Sequence, residues 1–382
     1  MESLFSFLPP ALYSPVYNAV IILMCLITCF SYSLSQGDVA LKKSNSILYI
    51  ATFFVTAFTI LLLGPRPVDK AFTDTGYYVY SYLHLINEYE GFNFHTEWMW
   101  NNIAYTCILL GMSSKNYLMT MMILYSGLMV LACYKWMGHN LWVAVLFCFS
   151  SFSFLSYGIN GICNGVACSL TMLGLAYMVE HDWKKWIAVP LFFVAFSCHR
   201  STALPIMASL AALLIWKKPV YAIYVWLISI ILSLVAGNAL TSLIVSAGFD
   251  TRMASYANIS DEISEEFKEF NEARQMGFRI DFLLYSAMPI LMLWYTTVKR
   301  NFQDRTYNII AITYALANAF WVIVIRSEQS NRFAYLSWFL YPIVIAYPLL
   351  RFRMWERQDR RLAIILTLYA GFTGFMYFFY YR

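Results

Sequence analysis

Charge is what this sequence has least of. Only 12% of its 382 residues are Asp, Glu, Lys or Arg, against 60% hydrophobic, and the mean hydropathy is +0.59. A chain so poor in charge cannot keep a soluble surface wet, and no basic run offers itself to nucleic acid. Metal and disulfide signatures are missing as well. The eight cysteines show no CxxC pair and no Cys/His ligand spacing, and they lie inside apolar runs as small buried hydrophobes. No metal and no cofactor is expected. There is no internal repeat and no soluble segment, so a single transmembrane domain over 1–382 is expected. Lys and Arg are absent ahead of the first apolar run, and positive charge follows it at Lys42 and Lys43. That order predicts an uncleaved first helix, not a signal peptide.

What is present is a series of apolar runs, most of them close to the roughly 20 residues that span a bilayer. They fall at 17–34, 46–64, 117–134, 141–157, 164–180, 186–198, 201–215, 220–246, 282–297, 309–325, 335–350 and 362–380. The fold class is therefore an all-α polytopic membrane protein with about twelve transmembrane helices. The stretch 98–112 is expected to dip into the membrane or lie on it. Alternate connectors divide the charge unequally: 38–45, 135–140, 180–185, 217–219, 298–308 and 351–361 carry a net +9, and the remainder −4. The basic side should be cytoplasmic, with both termini outside. The segments 65–116 and 248–281 then become extracytoplasmic loops. In the second of these, Ile263, Phe267 and Phe270 share a face at helical spacing, predicting an amphipathic surface helix.

One stretch breaks the apolar pattern from within. In "VAFSCHRSTALPIM" (194–207), His199 and Arg200 stand side by side between two runs, each short for a span. An isolated charge at the bilayer centre costs about 2.5–3.5 kcal/mol on insertion scales. The pair is therefore expected at the tip of a helical hairpin, facing a wet cavity from the outer side. The same bookkeeping sends Asp74, Glu97, Arg279, Arg326, Glu328 and Arg332 outward. An outer cavity lined by arginines, carboxylates and a histidine suits an anionic, lipid-linked substrate. Asp74 and Glu97 read first as ordinary loop acids, Arg332 equally as the anchor of the span behind it, and the Tyr-rich "GYYVYSYLHL" as interfacial packing or as a sugar-stacking surface.

The blocks "DTGY", "TEWMWNNIAY", "NGICNGVACSL", "FSCHRSTAL" and "SNRFAYLSWF" occur in that order. Together the chain resembles the EpsG-like, Wzy-type polysaccharide polymerases, over about residues 45 to 350. The resemblance implies a membrane glycosyltransferase of the GT-C kind in the bacterial inner (cytoplasmic) membrane, its active site facing the periplasm or exterior. Its donor and acceptor would be undecaprenyl-diphosphate-linked oligosaccharides, with a chain-length regulator and a flippase as further candidate partners. The family's functional residues fall on Asp74, Glu97, His199 and Arg332. In its "NGI-x-NG" block the family usually carries arginine where this chain has Cys163, and a thiol lacks the forked donors that suit guanidinium to phosphate.

The chemistry so implied needs a base for the acceptor hydroxyl and cations for the departing diphosphate. Glu97, Asp74 and His199 are the catalytic candidates. Arg332, Arg279, Arg200 and Arg326 are the candidates for the diphosphate, and direct displacement would invert the anomeric centre. Two alternatives stand beside the polymerase: an O-antigen-ligase-type GT-C transferase, and a non-enzymatic lipid-linked oligosaccharide flippase or transporter.

Overall fold

The computed structural model describes residues 4–34, 46–88, 91–92, 94–95, 97–246, 278–326 and 330–380. Among them every regular element is a helix, and no strand occurs. The surface helix expected around Ile263, Phe267 and Phe270 lies outside the described residues. In chain order the α-helices are α1 (Tyr13–Leu34), α2 (Ser46–Leu63), α3 (Thr73–Glu88), α4 (Trp98–Leu109), α5 (Ser114–Met137), α6 (Leu141–Phe149), α7 (Phe152–Ile159) and α8 (Ile162–Met178). They continue with α9 (Ala188–Cys198), α10 (Ala203–Ile215), α11 (Val220–Ser246), α12 (Ile280–Trp294), α13 (Arg305–Ile323), α14 (Ser330–Trp338), α15 (Tyr341–Arg351) and α16 (Gln358–Phe375).

Among the described residues, eight helical stretches are long and apolar enough to cross a membrane: Pro10–Leu34, Ser46–Leu63, Ser114–Phe149, Val220–Gly237, Ile280–Lys299, Arg305–Ile323, Ser330–Arg351 and Gln358–Phe379. The protein is thus an all-α polytopic membrane protein, with eight such stretches where the apolar runs suggested twelve. The difference comes from helix breaks that hydropathy does not register. The runs 117–134 and 141–157 meet through a 3₁₀ turn at Gly138–Asn140, and the second then breaks at Ser150–Ser151. Helix α9 has only 11 residues, about 16 Å at 1.5 Å per residue, against a hydrocarbon core of roughly 30 Å.

Exposed aliphatic and aromatic residues line the helices on their lipid-facing sides: Ile47, Ile50, Phe53 and Phe54 on α2, and Leu227, Ile228, Ile231 and Leu234 on α11. In water such a surface would aggregate; in lipid it is the solvated one. Hydroxyls within the spans are bonded back along their own helix, as Thr28, Thr52 and Thr59 are to the carbonyls of Met24, Leu48 and Val55.

The helices group into two compact units, Met1–Thr202 with Ile345–Arg382, and Ala203–Val344. In the first, α8 packs on both α5 and α9, and α1 packs on α16. Tyrosines from two other helices brace the break between α6 and α7. Tyr17 donates its hydroxyl to the Phe149 carbonyl at 2.7 Å, and Tyr125 to that of Phe154 at 3.0 Å. Both rings also stack on Phe154. In the second unit, α13 is the centre against which α10, α11, α12 and α14 pack. Its Asn318 accepts from Trp226 Nε1 at 2.8 Å and donates to Ser337 Oγ at 2.9 Å and Ser286 Oγ at 3.3 Å. Trp338 Nε1 donates to the same Ser286 at 2.7 Å. Four helices are thereby hydrogen-bonded through one amide, the interhelical glue that apolar surroundings favour.

Candidate functional site

The site is built where helices stop. Helix α2 ends at Leu63, and the chain passes α5 so closely at Gly64 that a Cβ there would lie 2.9 Å from the Met119 Cα. The next polar residue, Arg66, is 1% exposed. Its Nη1 donates to the Leu63 carbonyl (2.8 Å), its Nη2 to the Ile159 carbonyl (3.1 Å) and its Nε to Thr75 Oγ1 (2.7 Å). One guanidinium therefore ties the end of α2, the end of α7 and the first turn of α3. Burial lowers its pKa to about 10, against the opposing influence of Tyr78 and Asp74 beside it.

Asp74 lies in that first turn of α3, partly exposed, where a carboxylate is favoured by the helix dipole. Its backbone N–H points to Asn160 Oδ1 at 3.4 Å. Asn160 leads into Gly161, whose φ of 116° lies in the region that glycine alone enters cheaply, and so into α8. Two residues on, the Cys163 thiol donates to the Cys198 carbonyl at 3.2 Å. Where the resemblance leads one to expect arginine, this chain has a buried thiol tying α8 to the last turn of α9. Tyr78, from the face of α3 turned toward α8, hydrogen-bonds the Cys163 backbone. Burial, then Cys163 and Asp74, hold its hydroxyl well above the usual tyrosine range.

His199 explains the polar interruption seen in the sequence. Helix α9 ends at Cys198, and His199 caps it in extended backbone (φ −153°, ψ 115°). Its Nδ1 is 2.6 Å from Ser201 Oγ, and Thr202 Oγ1 donates to its carbonyl at 2.7 Å. The residue is 8% exposed. Its Nε2 stands 4.0 Å from Glu97 Oε1, ion-pair distance should the ring be protonated. Glu97 is itself unusual. It sits at the N-cap of α4 with φ 53° and ψ 35°, makes no side-chain cap, and turns its carboxylate toward the histidine. A left-handed non-glycine backbone costs about 1–3 kcal/mol, and such outliers collect at functional positions. Arg200, the next residue after the histidine, is exposed.

Of the residues singled out in the sequence, the first unit holds Asp74, Glu97, Cys163, His199 and Arg200. Glu97 and His199 face each other directly, and Arg66, Tyr78 and Cys163 link Asp74 to the wall of α8 and α9. Arg279, Arg326 and Arg332 belong to the second unit. There Arg279 grips Asp281 with two hydrogen bonds, of 3.0 and 2.7 Å, and lies over the Phe282 ring at 3.9 Å. Arg326 sits 6.0 Å over the Phe278 ring, and Arg332 is exposed in α14. Sequence reasoning passed over Arg66, Tyr78, Asn160 and Ser201. For Arg66 a signal existed: a cation between two prolines, directly behind an apolar span. Among the described residues no three His, Cys, Asp or Glu side chains come together as a metal-ligand set.

Chemically, the arrangement offers a histidine oriented by a hydroxyl and faced by a carboxylate, with a cation next in sequence. Such a pair can accept and hold a proton at a point where the helix is interrupted. No curated protein and no solved structure shows significant similarity to the chain. The EpsG family model, by contrast, matches residues 47–382, a stretch that includes every residue of the site just described. The chain belongs to the EpsG family, and is a polysaccharide-polymerase-like protein of the membrane.

Proposed function

We propose that this protein is an inverting GT-C-like glycosyltransferase. It polymerises undecaprenyl-diphosphate-linked oligosaccharide repeat units on the outer face of the bacterial inner membrane. The observation that supports this reading best is the approach of Glu97 to His199 at the interruption after α9, with Arg200 exposed beside it. In the proposed step an acceptor hydroxyl attacks C1 of the donor sugar. The bond from C1 to the diphosphate oxygen breaks, and its electron pair leaves with the diphosphate. The hydroxyl proton passes to the Glu97–His199 pair, with Asp74 as the further carboxylate at the site. Ser201 fixes the imidazole so that Nε2 faces the reaction. Arg200, beside the pair, is the cation proposed for the diphosphate, and Arg326, Arg332 and Arg279, in the other unit, are candidates from the sequence alone. Arg279 is the weakest of them, since Asp281 already balances its charge.

The test is polymerisation by the purified protein in lipid nanodiscs, supplied with the undecaprenyl-diphosphate oligosaccharide. The wild-type chain should build a ladder of repeats. Glu97→Gln and His199→Ala should slow it by about 10²–10⁴-fold, the usual contribution of a positioned base. Full-rate ladders from both variants would remove the pair from the mechanism. A wild-type protein that transfers a single repeat to some other acceptor and never elongates would overturn the polymerase reading.

A further inference from the structure

Helix α3 carries a feature that the transfer step does not use. Its described residues exposed at helical spacing are Thr73, Tyr77, Tyr80, His84 and Asn87, at i, i+4, i+7, i+11 and i+14, with Leu83 alongside. Tyr77 is 70% and Tyr80 60% exposed. The opposite face is fixed to the body. Tyr82 is buried, donates its hydroxyl to the Met112 carbonyl at 2.7 Å, and stacks on Tyr117 at 4.5 Å. Tyr78 packs on Trp100 and meets Cys163. The outward rings therefore stand on a braced helix. His84 is steadied as well, with Nδ1 3.0 Å from the Tyr80 carbonyl and its ring 3.7 Å from the Tyr80 ring.

The chemistry of this stripe separates it from the faces that meet lipid. Over 50–54 on α2 and 225–235 on α11 the exposed positions are Ile, Leu, Phe and Val, and the exposed tyrosines of those helices, Tyr49, Tyr221 and Tyr224, are confined to their N-terminal ends. The α3 stripe combines aromatic rings with hydrogen-bonding groups, Thr–Tyr–Tyr–His–Asn. A pyranose chain asks for both: rings on which its flat apolar C–H faces stack, and polar groups that hydrogen-bond its hydroxyls. The stripe also runs into the site. Asp74, in the same first turn as Thr73, borders it, and Tyr78 on the next row of the helix reaches Cys163.

We propose that the exposed face of α3 is a saccharide rail, on which the growing glycan lies while its end is at the Glu97–His199 pair. The inference rests on the polymerase reading. Each ring should improve retention of the chain by about two- to tenfold, the usual scale of an aromatic contact. The rail therefore governs how many repeats are added before release, and leaves the first transfer nearly unchanged.

The experiment complements cells lacking their own copy of the gene and reads polymer length on a gel, with membrane levels of each variant measured in parallel. The paired variant Tyr77→Leu with Tyr80→Leu should reach the membrane at wild-type level. It should still join two repeats at the wild-type rate in nanodiscs, yet shorten the modal polymer at least about threefold. Tyr77→Phe with Tyr80→Phe keeps the rings and should keep wild-type lengths. If the leucine pair gives wild-type lengths, the face meets lipid and the rail is overturned. If the leucine pair abolishes even the first transfer, Tyr77 and Tyr80 serve the reaction centre and the rail is again overturned. If the wild-type chain restores no polymer at all, the polymerase reading falls and takes the rail with it, an outcome distinct from either.

Discussion

Asn318 and His199 are both buried polar side chains set among apolar helices, yet the protein treats them in opposite ways. Around Asn318 the hydrogen-bonding is closed. The amide oxygen has Trp226, the amide nitrogen has Ser286 and Ser337, and Ser286 is shared with Trp338. At His199 the two ring nitrogens differ. Ser201 lies 2.6 Å from Nδ1, whereas Nε2 stands 4.0 Å from a carboxylate on a left-handed backbone, with an exposed arginine next in sequence. In a dry interior a closed network rigidifies. At His199 the partners are titratable instead, an imidazole and a carboxylate, groups between which a proton can pass. The comparison separates a polar residue that ties helices together from one that is proposed to act on a substrate.

The sharpest way to break that contrast is to exchange activity against stability at each place. At the reactive pair, Glu97→Gln should cost about 10²–10⁴-fold in polymerisation rate while thermal unfolding in detergent stays close to wild type. A variant that melts early and works normally would reverse the assignment. Arg66 should behave as both. Arg66→Ala leaves the Leu63 and Ile159 carbonyls and the Thr75 hydroxyl without their donor, a loss of about 2–5 kcal/mol in unfolding free energy, and polymerisation should fall with it. Arg66→Lys should recover less than half of either, because an ammonium cannot reproduce the three-way fork. Unchanged melting in Arg66→Ala would show that the bracket is dispensable.

At the closed network, Asn318→Leu should lower stability by about 1–3 kcal/mol, given interhelical hydrogen bonds of roughly 0.6–1.7 kcal/mol each. Its polymer ladder should persist, and a ladder lost at normal stability would move Asn318 into the machinery. The smallest effect belongs to the Lys135–Glu180 bridge, 2.9 Å long and partly exposed, where Lys135 also lies 4.0 Å over the Tyr177 ring. Glu180→Gln should change stability by less than about 1 kcal/mol, and high salt should erase the difference.

How much of this could be read beforehand follows from the range of the forces involved. Transfer of apolar side chains into lipid is a sum along the chain, so the helical class and the approximate place of every apolar run were legible. So was the oddity of His199 and Arg200, because a charge inside an apolar run is a local anomaly. The number of full crossings was not legible. Whether α6 continues past Ser150 depends on Tyr17 of α1 taking up the Phe149 carbonyl, and whether α9 continues past Cys198 on Cys163 of α8 taking up the Cys198 carbonyl. Arg66 was hidden for the same reason: in sequence it is a loop cation after a span, and its burial exists only once α2, α3 and α7 converge.

The sequence alone determined that this is a membrane protein of many helices, and it marked where polar residues interrupt them. Tertiary packing alone decided that Glu97 would face His199, that Cys163 would bond to the carbonyl before that histidine, and that Tyr77 and Tyr80 would stay outside while Tyr82 went in. Hydropathy is additive and local, whereas a hydrogen bond needs two groups within about 3 Å, and only the packing of distant helices sets that distance.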